Sequence, residues 1–350
     1  MLRPILSTQV FSLRRLKTIA IALSGAGIFI LLGLPLPFLF GPLLACLIAA
    51  LAGQNLQGMG QVSVAARTIL GVAAGASITP DVIHALPKMA QTVALVPVFV
   101  GLIALVGLPY FRALGYDRVT SWYAAMPGGL QDMVVFGQEA GGDARALSLI
   151  HATRVLIIVT LAPIIAVQLY GVGLSNPIGL PARDLPLDQI ALMIFAALVG
   201  WKLAERFRLF GASILGPMIL AAILSLTDLL HMRPPREAIL TAQLLIGIGI
   251  GVCYVGVTWR ELRRFVVSGV VFVVILAALS AGFTEAITLL HLAPPVDAFL
   301  AFAPGGQAEM TVLAIVTGAD LGFVIVHHLT RVILVILGAP IAAKLILRRR

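Results

Sequence analysis

The chain has 350 residues, 60% of them apolar and 11% charged, with a mean hydropathy of +1.06 and a formal net charge of +9. Soluble globular domains carry about a quarter of charged residues, so this composition excludes them and points to a lipid bilayer. The basic residues sit at the ends of apolar runs and build no basic domain with interleaved aromatics, which argues against a nucleic-acid partner.

In chain order, Arg3, Arg14, Arg15 and Lys17 precede the first apolar run. That pattern resembles a signal peptide, but the run has a counterpart in the second half and is expected to be a span. Runs near 17–34, 38–54, 65–84, 90–111 and 146–171 are long enough for spanning helices of about 17–25 residues. A shorter segment near 119–141 contains Pro127-Gly128-Gly129. The second half gives runs near 188–204, 210–228, 238–257, 265–288 and 321–344, with a second Pro-Gly-Gly, Pro304-Gly305-Gly306, near 297–317. Cys46 and Cys253 lie inside apolar runs and offer neither a disulfide framework nor a metal motif.

The halves are one text written twice. Residues 126–158 align on 303–335 with 11 identities over 33 positions, including Pro, Gly, Gly, Met133/Met310, Asp143/Asp320, His151/His328, Thr153/Thr330 and Arg154/Arg331. Gly41-Pro42 matches Gly216-Pro217 at an offset of 175, and Gly71 and Gly75 match Gly247 and Gly251 at 176. The expected repeats are 1–180 and 181–350. If the Pro-Gly-Gly segments dip in and return, 18 basic residues fall on one side and four on the other; if they cross, the split is 14 to 8. The first fits the cytoplasmic bias of Lys and Arg. The expected fold is therefore an all-α integral membrane protein of about ten transmembrane helices, arranged as two inverted repeats of five. Each repeat carries a re-entrant or broken helix.

Pro-Gly-Gly at membrane depth is tolerable only where protein or water meets the freed backbone groups. Proline removes a donor and glycine permits unusual angles, so half-helices are expected to start at Leu130 and Gln307, their positive ends suited to an anion. Asp132 and Glu309 fall on the first turns and are candidates for a coupling-ion site, since intramembrane acids usually line ion pathways. The candidate binding residues are Pro127, Gly128, Gly129, Gln131, Asp132, His151 and Arg154, with Pro304, Gly305, Gly306, Gln307, Glu309, His328 and Arg331. The arginines are expected to pair with the two acids, and the histidines to carry a proton or fill the core. Asp143 and Asp320 read as N-caps. His327 and Glu139 have no polar match in the other half. The glycine-rich spans 71–77 and 247–253 read as packing surfaces.

The paired Pro-Gly-Gly segments, each with an acid three residues after the second glycine, resemble the bacterial AbrB-duplication membrane protein family across nearly the whole chain. Its MPGG-L-x-E-M and APGG-L-x-E-M motifs are met by Met126–Met133 and Ala303–Met310, with Asp132 in place of Glu and Gln307 in place of Leu. Family names imply either ammonia monooxygenase or transcriptional regulation. A copper enzyme needs clustered ligands, and His84, His151, His231, His291, His327 and His328 form no such cluster in sequence. A DNA reader needs a soluble element, which loops of about 10 to 20 residues do not supply.

The resulting expectation is a secondary transporter or exporter of a small, anionic organic solute, coupled to protons or sodium. It would lie in the bacterial inner membrane with both termini cytoplasmic, without catalytic residues, metal or cofactor, alone or as a homo-oligomer. The competing expectation is a membrane-embedded sensor acting indirectly on gene expression.

Overall fold

In the computed structural model the described residues are 12–347 apart from Pro35, Ser175, Pro177 and Phe210, and the side chains of Asp81, Gln131 and 344–347 are also left aside. The basic residues of 1–11 therefore lie outside the described residues, as does the side chain of Gln131. Among the described residues all regular structure is helical.

Seven helices occupy the first half: α1 (Leu13–Leu31), α2 (Pro37–Leu51), α3 (Gln61–Gly75), α4 (Pro80–Ala113), α5 (Arg118–Ala125), α6 (Leu130–Glu139) and α7 (Ala144–Tyr170). Seven follow in the same order of lengths: α8 (Leu187–Arg206), α9 (Ala212–Leu226), α10 (Arg236–Val252), α11 (Trp259–Leu289, with a π-turn at Leu262–Val266), α12 (Pro295–Phe302), α13 (Gln307–Thr317) and α14 (Leu321–Leu347). Both ends of α2 and α9 differ by 175 residues, and both ends of α5 and α12 by 177.

Among the described residues five helices are long and apolar enough to cross a membrane: Val82–Ala113, Ala144–Tyr170, Leu187–Arg206, Trp259–Leu289 and Leu321–Ala343. They turn large apolar side chains outward, among them Leu105, Leu198, Val274 and Leu337, as a lipid-facing surface requires. The other apolar helices are shorter than expected. At 1.5 Å per residue, the 15 residues of α2, α3 and α9 reach only about 22 Å. The run 65–84 is not one span: α3 ends at Gly75, and Pro80 opens α4, where its missing amide costs nothing.

Glycine decides how the short helices meet. α3 packs on α9 and α10 on α2. A Cβ on Gly71 would stand 2.5 Å from the Ile214 carbonyl oxygen, and one on Gly75 2.7 Å from Ala221 Cβ. In the matching contact a Cβ on Gly247 would fall on the Leu39 carbonyl, and one on Gly251 would stand 2.6 Å from Cys46 Cβ. The α1–α2 and α8–α9 pairs touch in the same way, through Gly25 against Gly41 and Gly200 against Gly216. The expected packing role of the glycine-rich spans is what the geometry shows, with backbones brought together by the absence of side chains.

Candidate functional site

Each Pro-Gly-Gly segment is a clean break between two short helices. α5 ends at Ala125 and α6 starts at Leu130; α12 ends at Phe302 and α13 starts at Gln307. The starts of the half-helices are those expected, but the reason for the glycines differs. Gly129 (φ −63°) and Gly306 (φ −75°) are extended N-caps that any residue could adopt. What they permit is close approach. A Cβ on Gly128 would stand 2.7 Å from Met133 Cε and one on Gly305 2.8 Å from Met310 Cε, while Cβ atoms on Gly129 and Gly306 would fall on the carboxylates of Asp132 and Glu309.

The two acids thus fold back over their own helix N-termini, where a negative charge meets the positive end of the dipole. The amide end expected to receive a substrate anion is occupied, as described here, by the chain's own carboxylate.

The arginines do something other than expected. Arg154 Nη1 donates to the Met126 carbonyl at 3.0 Å and its Nη2 to the Gly128 carbonyl; Arg331 Nη1 and Nη2 donate to the Ala303 and Gly305 carbonyls at 2.8 and 2.7 Å. His151 Nε2 donates to Tyr123 O at 3.0 Å and His328 Nε2 to Leu300 O at 2.8 Å. Hydrogen bonding to the break, in place of pairing with Asp132 and Glu309, follows from helix geometry. A helix that stops inside the protein leaves its last carbonyls without amide partners, and three-residue spacing puts His and Arg on the face of α7 or α14 that meets them. All four side chains are buried, so their planar donors supply what water would supply outside.

A carbonyl can only accept, so Nε2 of each histidine carries the proton. In the second half Nδ1 of His328 then accepts from Arg331 Nη2 at 3.0 Å, which fixes a neutral imidazole between two partners. In the first half His151 Nδ1 is buried without a partner.

Asp143 caps α7, accepting from the amides of Arg145 and Ala146 at 3.0 Å, and Asp320 caps α14, accepting from the Phe323 amide at 3.0 Å. Both therefore serve as the N-caps expected from sequence. The Asp143 amide in turn donates to Thr120 Oγ1 at 2.8 Å and the Asp320 amide to Asp297 Oδ1 at 3.0 Å, tying each capping loop to the half-helix before the break. Gln307 is drawn to α9, its Nε2 lying 3.4 Å from Met218 Sδ.

One residue beyond the sequence candidates, near the start of the run 65–84, belongs to this region. Arg67, on α3, lies close enough for its charge to act on both Asp132 and Glu309, and the charge of Arg154 also reaches Glu309. α7, which staples the first break, also packs against the second: its Ile158 would stand 3.2 Å from a Cβ on Gly305. The offset of 176 that joins Gly71 to Gly247 joins Arg67 to Gln243, a buried polar residue on α10. Carrying that offset one helical turn upstream would have found both. Among the described residues no three His, Cys, Asp or Glu side chains gather as a metal site.

The apolar helices, the glycine-welded short helices and the two stapled breaks define an all-helical membrane protein. Residues 38–347 match the family model described as "Transition state regulatory protein AbrB", and the chain belongs to that family. Similar proteins include "Putative regulator AbrB" of Escherichia coli (strain K12), 25% identical over 91% of this chain and 92% of that one. Another is "Uncharacterized protein YhjN" of Bacillus subtilis (strain 168), 27% identical over 94% of this chain and 92% of that one.

Proposed function

We propose that the protein is a secondary transporter of a small organic anion, coupled to protons or sodium, rather than an enzyme. The carrying observation is a pair of broken helices, each with an acid folded over its half-helix start, Asp132 and Glu309, and with the helix that staples the first packed on the second through Ile158 and Gly305. Among the described residues neither acid has an arginine in salt-bridge contact, since Arg154 and Arg331 are committed to backbone carbonyls, and a proton or sodium ion would supply the cation each carboxylate lacks at close range. Once an acid is neutralised, its hold on the helix N-terminus weakens, and the freed amides and Arg67 can receive a substrate anion. Cation uptake and anion binding are then linked, and anion affinity rises as pH falls.

In this reading the short helices α2, α3, α9 and α10 count as crossings, which makes the chain two repeats, 1–180 and 181–350, of five spans each, between which access alternates. An odd number inverts the second repeat in the bilayer. The matching glycine contacts of α1–α3 and α8–α10 support the repeat, and the bias of Lys and Arg supports cytoplasmic termini in a bacterial inner membrane.

The test is uptake of a panel of organic acids by vesicles carrying the purified protein, with imposed pH and sodium gradients. Gradient-driven uptake that vanishes in Asp132→Asn with Glu309→Gln, while the variant stays folded, is the expected result. Flat traces across the panel under both gradients would sink the proposal.

A second reading, a membrane sensor that regulates gene expression through a partner, draws on the relative named as a regulator and on the exposed Trp259 beside Arg260, Arg263 and Arg264. Recovery of a cytoplasmic partner that releases on loss of those arginines would favour it over transport.

A further inference from the structure

A cavity at the far end of α13 from Glu309 has the features of a ligand site. It holds about 350 Å³ between the start of α2, the residues Leu174, Asn176, Ile178 and Gly179, the first two turns of α10 and the end of α13. Phe38, Leu174, Leu240 and Val316 make its walls apolar. Val316 lies seven residues beyond Glu309 on α13, about 10 Å along the helix. Asn176 closes that corner, its backbone amide and its Nδ2 both donating to the Val316 carbonyl at 3.2 Å.

Two lining residues are polar and unspent. Gln243 is 1% exposed, yet neither Oε1 nor Nε2 has a hydrogen-bond partner. A buried amide without partners is destabilising, and a protein retains one most readily where something else pairs with it. Arg236 lies seven residues earlier on the same face of α10, exposed at the mouth, and no acidic residue lines the cavity. Its neighbour Glu237 faces away, accepting from the Ala182 amide at 3.0 Å.

We infer that this cavity binds a small organic acid with an apolar body, its carboxylate on Arg236 at the mouth and a hydroxyl or amide on Gln243 at the inner end. The volume holds on the order of ten heavy atoms, and two helical turns separate the two polar residues by about 10 Å before side-chain reach is counted. An ω-hydroxy acid fits both. The site is independent of the proposed transport site.

8-Hydroxyoctanoate tests the assignment, with octanoate lacking the hydroxyl and 1,8-octanediol lacking the charge. Binding is read by calorimetry and by the melting temperature of the full chain in detergent. Wild type should bind the hydroxy acid about tenfold more tightly than either control and melt at least about 3 °C higher with it. Gln243→Leu, which removes the unpaired amide and should itself melt no lower than wild type, should no longer distinguish the hydroxy acid from octanoate. Arg236→Gln should no longer distinguish it from the diol. Asp132→Asn with Glu309→Gln should bind all three as wild type does, whatever its effect on transport. No binding by wild type, or unchanged discrimination in Gln243→Leu, would overturn the proposal and leave the cavity to solvent.

Discussion

The first and second Pro-Gly-Gly breaks are held by the same three hydrogen bonds, 177 residues apart: a histidine to the carbonyl three residues before the break, and both arms of an arginine to two carbonyls within it. Around this shared frame the polar lining diverges. Asp132 stands where the other half has Glu309, Thr120 where it has Asp297, Arg67 where it has Gln243, and Ile150 where it has His327. The frame is duplicated because a buried helix end presents the same unpaired carbonyls wherever it occurs. The lining is free to differ because no such backbone demand fixes it.

The largest effects should come from breaking the frame. Arg154→Met removes two charge-assisted hydrogen bonds, and Arg331→Met removes the matching two and the one to His328 Nδ1; each orphans two buried carbonyls, a loss of about 3 kcal/mol or more. Lysine, with a single compact ammonium in place of a planar fork, should recover little. Thermal unfolding of the four variants should give large losses in both halves, that of Arg331→Met at least as large as that of Arg154→Met, and a large loss in only one would break the symmetry argued above.

Next come the close helix contacts. Gly75→Ala and Gly251→Ala press a methyl into the facing helix and should each cost about 1–3 kcal/mol. Gly249→Ala, between two of these positions with open space around it, should be neutral or stabilise by up to about 1 kcal/mol. Chemical-denaturation midpoints of the three variants separate packing from helix propensity.

The N-caps should be smaller and matched, about 1 kcal/mol for Asp143→Ala and for Asp320→Ala, read from melting temperatures. The smallest change sharpens the comparison from the other side. Thr153 shares a 2.9 Å hydrogen bond with the Tyr254 hydroxyl, whereas Thr330 bonds only back along its own helix to Val326 O at 2.8 Å. Thr153→Val should therefore destabilise by about 1 kcal/mol and Thr330→Val by a few tenths at most.

Much of the site was legible because the duplication marks it. The half-helix starts at Leu130 and Gln307, the caps Asp143 and Asp320, and the small-residue faces at Gly71, Gly75, Gly247 and Gly251 could be read from repeat, proline and glycine alone. The partner of each arginine could not. Sequence neighbours Asp132 and Glu309 offered opposite charge, but the nearer demand on Arg154 and Arg331 is the row of carbonyls left by the broken helix, visible only when α5 meets α7 and α12 meets α14. Arg67 escaped notice because it stands near the start of a run taken as 65–84, and a basic residue there looks like a loop anchor.

By itself, then, the sequence determined that the protein is helical and membrane-embedded, that it is written twice, and where its helices break, since hydropathy, period and proline act locally along the chain. Only the tertiary structure decided what the buried charges touch, that α3 crosses to α9 and α10 to α2, and that Arg67 comes near both acids. Those choices depend on which backbones come within a few ångströms of each other, and on which polar groups are thereby left without water and must find a partner inside the protein.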